Sequence, residues 1–170
     1  MYITTYTGKK LSLIDPQPED ICTEDIAHHL SQICRYNGAC NKFYSVAQHS
    51  VLVYYQVPTL QALFHDAGEA YYGDFSSPFK QVLEHFCGQA FRGVLEYIDK
   101  AIFEKYNIPW PICPEVKKAD GLVFSREFQN LMPPGETVKE RSPVDLGPLV
   151  VWPSHLAKDI FQEKCRSLHV

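Results

Sequence analysis

Residues 45–72 read SVAQHSVLVYYQVPTLQALFHDAGEAYY, and two helices can be traced in them directly. Ser45 and Gln48 form the S-x-x-Q pattern of a capping box, in which the hydroxyl takes an amide three residues on and the glutamine reaches back. A helix therefore starts here and runs to about Tyr55, with His49 near its second turn. After the break Gln56-Val57-Pro58-Thr59, a second helix runs from Leu60 to about Tyr72 and is stopped by Gly73. So short a connection makes the two helices antiparallel neighbours, and His49 can face His65 across their interface. On the second helix His65, Asp66 and Glu69 fall close together, because positions three or four apart share a face and i+1 sits only about 100° around.

Imidazoles and carboxylates gathered in this way are the ligands that divalent metals select. A metal can take His49, His65 and Asp66, with Glu69 behind them, and Asp120, set between Ala119 and Gly121 on a later helix, is the best placed fourth ligand. Two histidines and two aspartates with open positions suit an ion that binds phosphate oxygens and activates a water. Each residue alone has a plainer reading as a core or surface side chain. Leu63-Phe64 ahead of His65-Asp66 weighs against that reading, because it buries the pair, and buried Asp and His without partners are costly.

Working outward, Tyr2–Tyr6 and Leu11–Leu13 flank Thr7-Gly8-Lys9-Lys10 and read as a small hairpin. Thr23 can cap a helix with Glu24 and Asp25 in its first turn and Ile26, Leu30 and Ile33 on one face, terminated by Asn37-Gly38. Ser77-Pro78 reads as a cap followed by proline at the first helical position, opening a helix to about Phe86, and a longer amphipathic helix covers Gln89 to Tyr106. Pro114 opens the helix that carries Asp120 and ends at Pro133-Pro134-Gly135. Residues 133 to 151 read as loop with a short strand at Leu149-Val150-Val151, and a last helix covers about Ser154 to Leu168. The class is mostly α with a small N-terminal β-hairpin.

At 170 residues with 45% hydrophobic content, the chain has material for one core, and residues 1–170 are read as a single domain. Six cysteines without a CxxC pair, no leader-like N-terminus and no long apolar span predict a cytoplasmic protein with reduced thiols and no membrane partner. A net charge of -4 gives no broad basic face for a nucleic-acid polymer, so a small deoxynucleotide held by local cations fits better than a duplex.

The order His49, His65-Asp66, Asp120 resembles the H…HD…D signature of HD-domain metal-dependent phosphohydrolases. More closely, Ile33-Cys34-Arg35-Tyr36-Asn37-Gly38, Ser45–Ser50, His65–Tyr71, Gly73-Asp74, Ser77–Lys80, Lys118-Ala119-Asp120 and Arg126-Glu127 are similar to small phage and bacterial deoxynucleotide phosphohydrolases, among them 5′-deoxynucleotidases and phage dATP triphosphohydrolases. The resemblance implies an HD-domain helical bundle in which His49, His65, Asp66 and Asp120 bind the metal and Glu69 and Asp74 are the catalytic carboxylates. Glu69, one turn from the ligand pair, can orient the attacking water, and Asp74, beyond the Gly73 break, can act as general acid if its pKa is raised. Arg35 matches an arginine that meets the nucleotide phosphate or sugar, and Tyr36 stands where relatives often carry Trp. Pro78 and Lys80 match positions bordering base and phosphates, and Lys117 is a further phosphate candidate.

Only His85 lies between the HD pair and Asp120, with His28 and His29 upstream, which implies one tightly held divalent transition metal (Zn, Co or Mn), with a loosely bound Mg²⁺ on a triphosphate as an addition. The expectation is a homo-oligomeric enzyme of the bacterial or phage-infected cytoplasm that hydrolyses dATP to deoxyadenosine and triphosphate. A 5′-deoxynucleotidase acting on dNMPs and a non-catalytic nucleotide-binding module are the alternatives.

Overall fold

The hairpin forms as the alternation of its residues predicts. β1 (Tyr2–Thr4) pairs antiparallel with β2 (Lys10–Ser12), Ile3 lies opposite Leu11, and the buried Leu11 pins the ribbon to the core. The computed structural model describes residues 1–133 and 147–170, and it is mostly helical. The helices are α1 (Thr23–Gln32), α2 (Val46–Gln56), α3 (Leu60–Phe64), α4 (Glu69–Tyr72), α5 (Ser77–Cys87), α6 (Gln89–Lys105), α7 (Pro114–Leu131) and α8 (Ser154–Ser167). Among the described residues no helix is long and apolar enough to cross a membrane.

α1, α2 and α8 pack on one another around Ile26, Leu30, Ala47, Val51 and Phe161, with Leu63, Phe64 and α6 residues Ile98 and Ile102 closing the core. Phe64 packs edge-to-face on Tyr106 and tilted against Phe161, with ring centroids 5.0 and 5.8 Å away. Burial of each such ring contributes about 1.5–3 kcal/mol. A second cluster, Val53, Ala62, Val116, Ala119 and Val123, fastens α7 to the back of α2 and α3. The Gln61 amide fixes the start of α7 by accepting the Cys113 N–H at 3.1 Å. Together these contacts set the height at which α7 presents Asp120.

Local structure departs from the sequence reading in informative places. α1 begins at Thr23, with Cys22 rather than Thr23 in the capping position, and Asp25 in its first turn accepts both the backbone N–H and the hydroxyl of Thr7, tying hairpin to helix. α1 ends before Asn37-Gly38. Ile33 leaves the helix in extended conformation, Val46 N–H donates to Ile33 O, and Arg35 N–H donates to Tyr44 O. This pairing draws the chain away from the helix, and Tyr36, Asn37 and Gly38 then form a turn with φ of 58°, 51° and 76°. At α5 the capping position belongs to Ser76, whose carbonyl takes the Lys80 N–H, so Ser77 is already helical and Pro78 follows it in the first turn.

Leu149–Val151 is extended but is no strand. Its partner is a side chain: Gln48 Nε2 donates to Val150 O at 2.6 Å, and Trp152 N–H donates to Gln48 Oε1 at 2.8 Å. The same contacts undo half of the expected capping box, in which only Ser45 Oγ accepting the Gln48 N–H is formed. α7 ends at Leu131, and the loop expected through Pro134-Gly135 to residue 146 lies outside the described residues.

The helix expected over Leu60–Tyr72 is broken at the His-Asp pair. Between α3 and α4, Ala67 N–H donates to Phe64 O, Glu69 N–H to Asp66 O and Ala70 N–H to Ala67 O, a run of i→i−3 bonds. At about three residues per turn, Asp66 and Glu69 are stacked one above the other. A Cβ on Gly68 would collide with Asp99 Oδ1 and the Tyr72 ring, and the Tyr72 hydroxyl donates to Asp99 Oδ1 at 3.1 Å. Gly68→Ala is expected to cost about 1–3 kcal/mol through overpacking, lowering the melting midpoint by roughly 2–12 °C. An unchanged midpoint in a thermal melt would show that Asp99 yields freely.

Candidate metal centre and cleft

His49 is fully buried on α2, His65 and Asp66 sit at the break after α3, and Asp120 lies midway along α7. His49 Nδ1 lies 2.7 Å from Glu127 Oε1, and His65 Nδ1 lies 2.8 Å from Ala62 O. A carboxylate and a carbonyl can only accept, so both Nδ1 atoms carry hydrogen and both rings turn an Nε2 lone pair toward the centre. The two Nε2 atoms are 3.2 Å apart. Asp120 Oδ1 is 3.1 Å from His49 Nε2 and 3.9 Å from His65 Nε2, while Asp66 Oδ2 is 3.5 and 3.2 Å from the same two atoms.

Four acceptor groups at that spacing repel one another unless a proton or a cation lies among them. With no cation, His49 takes the proton: burial and the Arg35 guanidinium depress its pKa, but Glu127 and Asp120 outweigh them and lift it to about 9. Burial alone would raise Asp66, yet His65, His49 and Arg35 hold it well below the usual carboxylate range. Ligand atoms of His49, His65 and Asp120 all lie within 4.8 Å of one another, so this triad can hold a metal ion.

The centre opens into a cleft of about 470 Å³. Its lining includes the charged Arg35, Asp66, Glu69, Asp74, Lys80 and Asp120 and the apolar or aromatic Tyr36, Phe75, Phe124, Phe128 and Met132. Tyr36 lies against Phe124 and Phe128 with ring centroids 5.9 and 6.0 Å away. Glu69 is buried, its Oε1 3.4 Å from Lys80 Nζ and its Oε2 without a hydrogen-bond partner in the structure. Burial, and then the charges of Asp66 and Asp74, push its pKa well above the ordinary value. Burial also raises Asp74, against the pull of Arg35. Gly73, at φ 88°, makes the turn that brings Asp74 back to the cleft.

Among the substrate contacts expected from the sequence, Arg35, Tyr36, Pro78 and Lys80 line this cleft. Lys117 is exposed on α7 and does not line it. His28 and His29 lie elsewhere: His29 accepts the Tyr6 N–H and donates to Ala70 O, and His28 stacks on Tyr6. His85 is exposed on α5.

Glu127, quoted above only within the Arg126-Glu127 match, had no role assigned from the sequence. It is fully buried, and four donors converge on it: His49 Nδ1 and the Tyr44 hydroxyl on Oε1, both at 2.7 Å, and Arg35 Nε at 3.1 Å and the Tyr36 hydroxyl at 2.9 Å on Oε2. Arg35, also buried, reaches Asp66 on its other side, with Nη1 3.5 Å from Asp66 Oδ2. The one available signal was spacing, since Glu127 follows Asp120 by two helical turns and so shares its face.

No family model matches the chain. It is 39% identical over 133 residues to the uncharacterized protein YfdR of Escherichia coli K12, a match covering 76% of this chain and 72% of that protein. It is 33% identical over 125 residues to the uncharacterized protein RCAP_rcc00048 of Rhodobacter capsulatus, a match covering 66% of this chain and 62% of that relative.

Proposed function

The chain belongs to the family of Escherichia coli YfdR, and we propose that its cleft is the active site of a metal-dependent deoxynucleotide phosphohydrolase with the HD-type ligand set. The observation that carries this reading is the pair of inward-facing Nε2 atoms beside two carboxylates, opening onto a buried Glu69 whose Oε2 has no partner. A divalent ion of the Zn, Co or Mn type fits that all-acceptor cluster, with His49, His65 and Asp120 holding it and Asp66 as fourth ligand. When bound, it supplies Lewis acidity toward a phosphoryl oxygen and acidifies water.

The remaining work falls to the chain. Glu69 Oε2 receives the proton of the water that attacks the α-phosphorus; its pKa, raised by burial and by Asp66 and Asp74, suits it to hold that proton. As the bond from phosphorus to the 5′ oxygen breaks, Asp74, raised by burial, delivers a proton to the leaving oxygen. Arg35 and Lys80 offset the charge that develops on the phosphate oxygens. Tyr36, Phe124 and Phe128 give the base an aromatic wall. The products from dATP are deoxyadenosine and triphosphate. A loosely held Mg²⁺ on the triphosphate and assembly into a homo-oligomer belong to the same reading.

One observation favours a 5′-deoxynucleotidase as the second reading. With Lys117 outside the cleft, Arg35 and Lys80 are the cations lining it among the described residues, fewer than the expected set for a triphosphate. Assay of products from all four dNTPs and all four dNMPs decides between the two, and turnover of neither overturns the proposal. Lys80→Ala is expected to lower kcat/KM for dATP at least about tenfold, with a smaller fall for dAMP, because a charge-assisted hydrogen bond contributes about 1.5–3 kcal/mol. Equal losses on both substrates would show that Lys80 does not distinguish phosphate-chain length.

A further inference from the structure

We infer that Glu127 is a positioning residue whose two oxygens divide the work of the site: Oε1 holds the imidazole of a metal ligand, and Oε2 holds the arm that meets the phosphates. The second half rests on the reading of the cleft given above; the first needs only that His49 binds a metal. An ionised carboxylate offers about four acceptor positions, and here four donors occupy it, two on each oxygen. The carboxylate is fully buried and forms an ion pair with the Arg35 guanidinium, Nε to Oε2 at 3.1 Å. The Oε1 pair, His49 and Tyr44, lies in and just before α2. The Oε2 pair, Arg35 and Tyr36, lies in the left-handed turn after α1, and both residues line the cleft.

Glutamine cannot replace this carboxylate, because one of its two acceptor atoms becomes an NH₂ donor. If the NH₂ faces Arg35, two donors meet, and a guanidinium has no acceptor to offer. Arg35 is then left with Asp66, 3.5 Å away, and draws that carboxylate from the histidines. If the NH₂ faces His49, the imidazole must accept at Nδ1 and carry its hydrogen on Nε2, which removes the lone pair aimed at the metal position. Either way one half of the arrangement is lost.

The test uses the whole chain and two readouts that do not depend on turnover: Co²⁺ affinity, followed by its visible absorption in competition with a chelator, and calorimetric binding of inorganic tripolyphosphate to the Co²⁺-saturated protein. Tyr44→Phe removes a donor from Oε1 alone and is expected to weaken Co²⁺ binding about threefold to tenfold with tripolyphosphate binding unchanged. Tyr36→Phe removes a donor from Oε2 alone and is expected to do the reverse, to a similar extent of about threefold to tenfold. Glu127→Gln is expected to weaken Co²⁺ binding about 10- to 100-fold. Wild-type Co²⁺ affinity in Glu127→Gln, or identical effects of the two tyrosine variants on both ligands, overturns the inference. The tyrosine variants decide it even if Glu127→Gln does not fold. If the tyrosine variants behave as expected while the wild type turns over no deoxynucleotide, the division of labour stands and the phosphohydrolase reading falls.

Discussion

Glu69→Ala should retain its metal and lose about 10²- to 10⁴-fold in kcat, the span associated with a positioned general base. The side chain stands over Asp66 in the tight turn, one oxygen on Lys80 and the other without a partner, and it is not among the atoms grouped around the metal position. Removing it therefore takes away the proton acceptor and leaves the ligand set whole. Its companion change is at Lys80, which loses the Glu69 contact and keeps the pull of Asp66 and Asp74. Metal content by elemental analysis and single-turnover kinetics together check the expectation. Near-normal turnover with metal retained would mean that another group takes the proton from water.

His65→Ala should abolish metal retention, taking an expected content of about one ion per chain to near none after gel filtration. The effect is larger than the loss of one ligand suggests. His65 Nε2 stands 3.2 Å from both His49 Nε2 and Asp66 Oδ2, so its removal opens the centre of the cluster rather than its edge. His49 keeps its bond to Glu127 and, with Asp120 beside it, keeps the proton that a metal would have to displace. Alanine also leaves the Ala62 carbonyl without its imidazole donor, a modest loss at the end of a short helix. Elemental analysis of wild type and variant made side by side is the measurement, and equal metal content would remove His65 from the site.

The site was legible where chemistry and local geometry coincide. Ser45 caps α2 through the Gln48 amide, and that single bond sets the phase by which His49 faces His65. Asp120 was reachable because a carboxylate between two small residues on a helix has little else to explain it. The sequence was silent where the deciding partner is remote. Gln48 completes a capping box in sequence, but in space its amide is taken by a segment about a hundred residues away, 102 to Val150 and 104 to Trp152. At His65–Gly68 the helix tightens into i→i−3 bonds, a change that the apolar pattern of positions 60–72 does not mark. Glu127 enters the sequence reading only within the matched pair Arg126-Glu127, and its role shows once Arg35, Tyr36, Tyr44 and His49 are seen converging on it. Lys117, one turn before Asp120, looked like its neighbour, but its side chain is exposed and does not line the cleft.

α5 contains no buried residue, and it packs chiefly on α6. Phe79, Val82 and Phe86 on it remain substantially open to solvent. Local opening free energies within one protein run from near zero to the global stability, and they follow the apolar area each element buries. The cleft consequently has one wall fixed and one wall yielding. His49 and Glu127 stand on α2 and α7, which pack into the two apolar clusters, whereas Pro78 and Lys80 ride on α5, which buries no residue. On the proposed reading, a bulky anion entering the cleft would displace α5 and leave the ligand set standing.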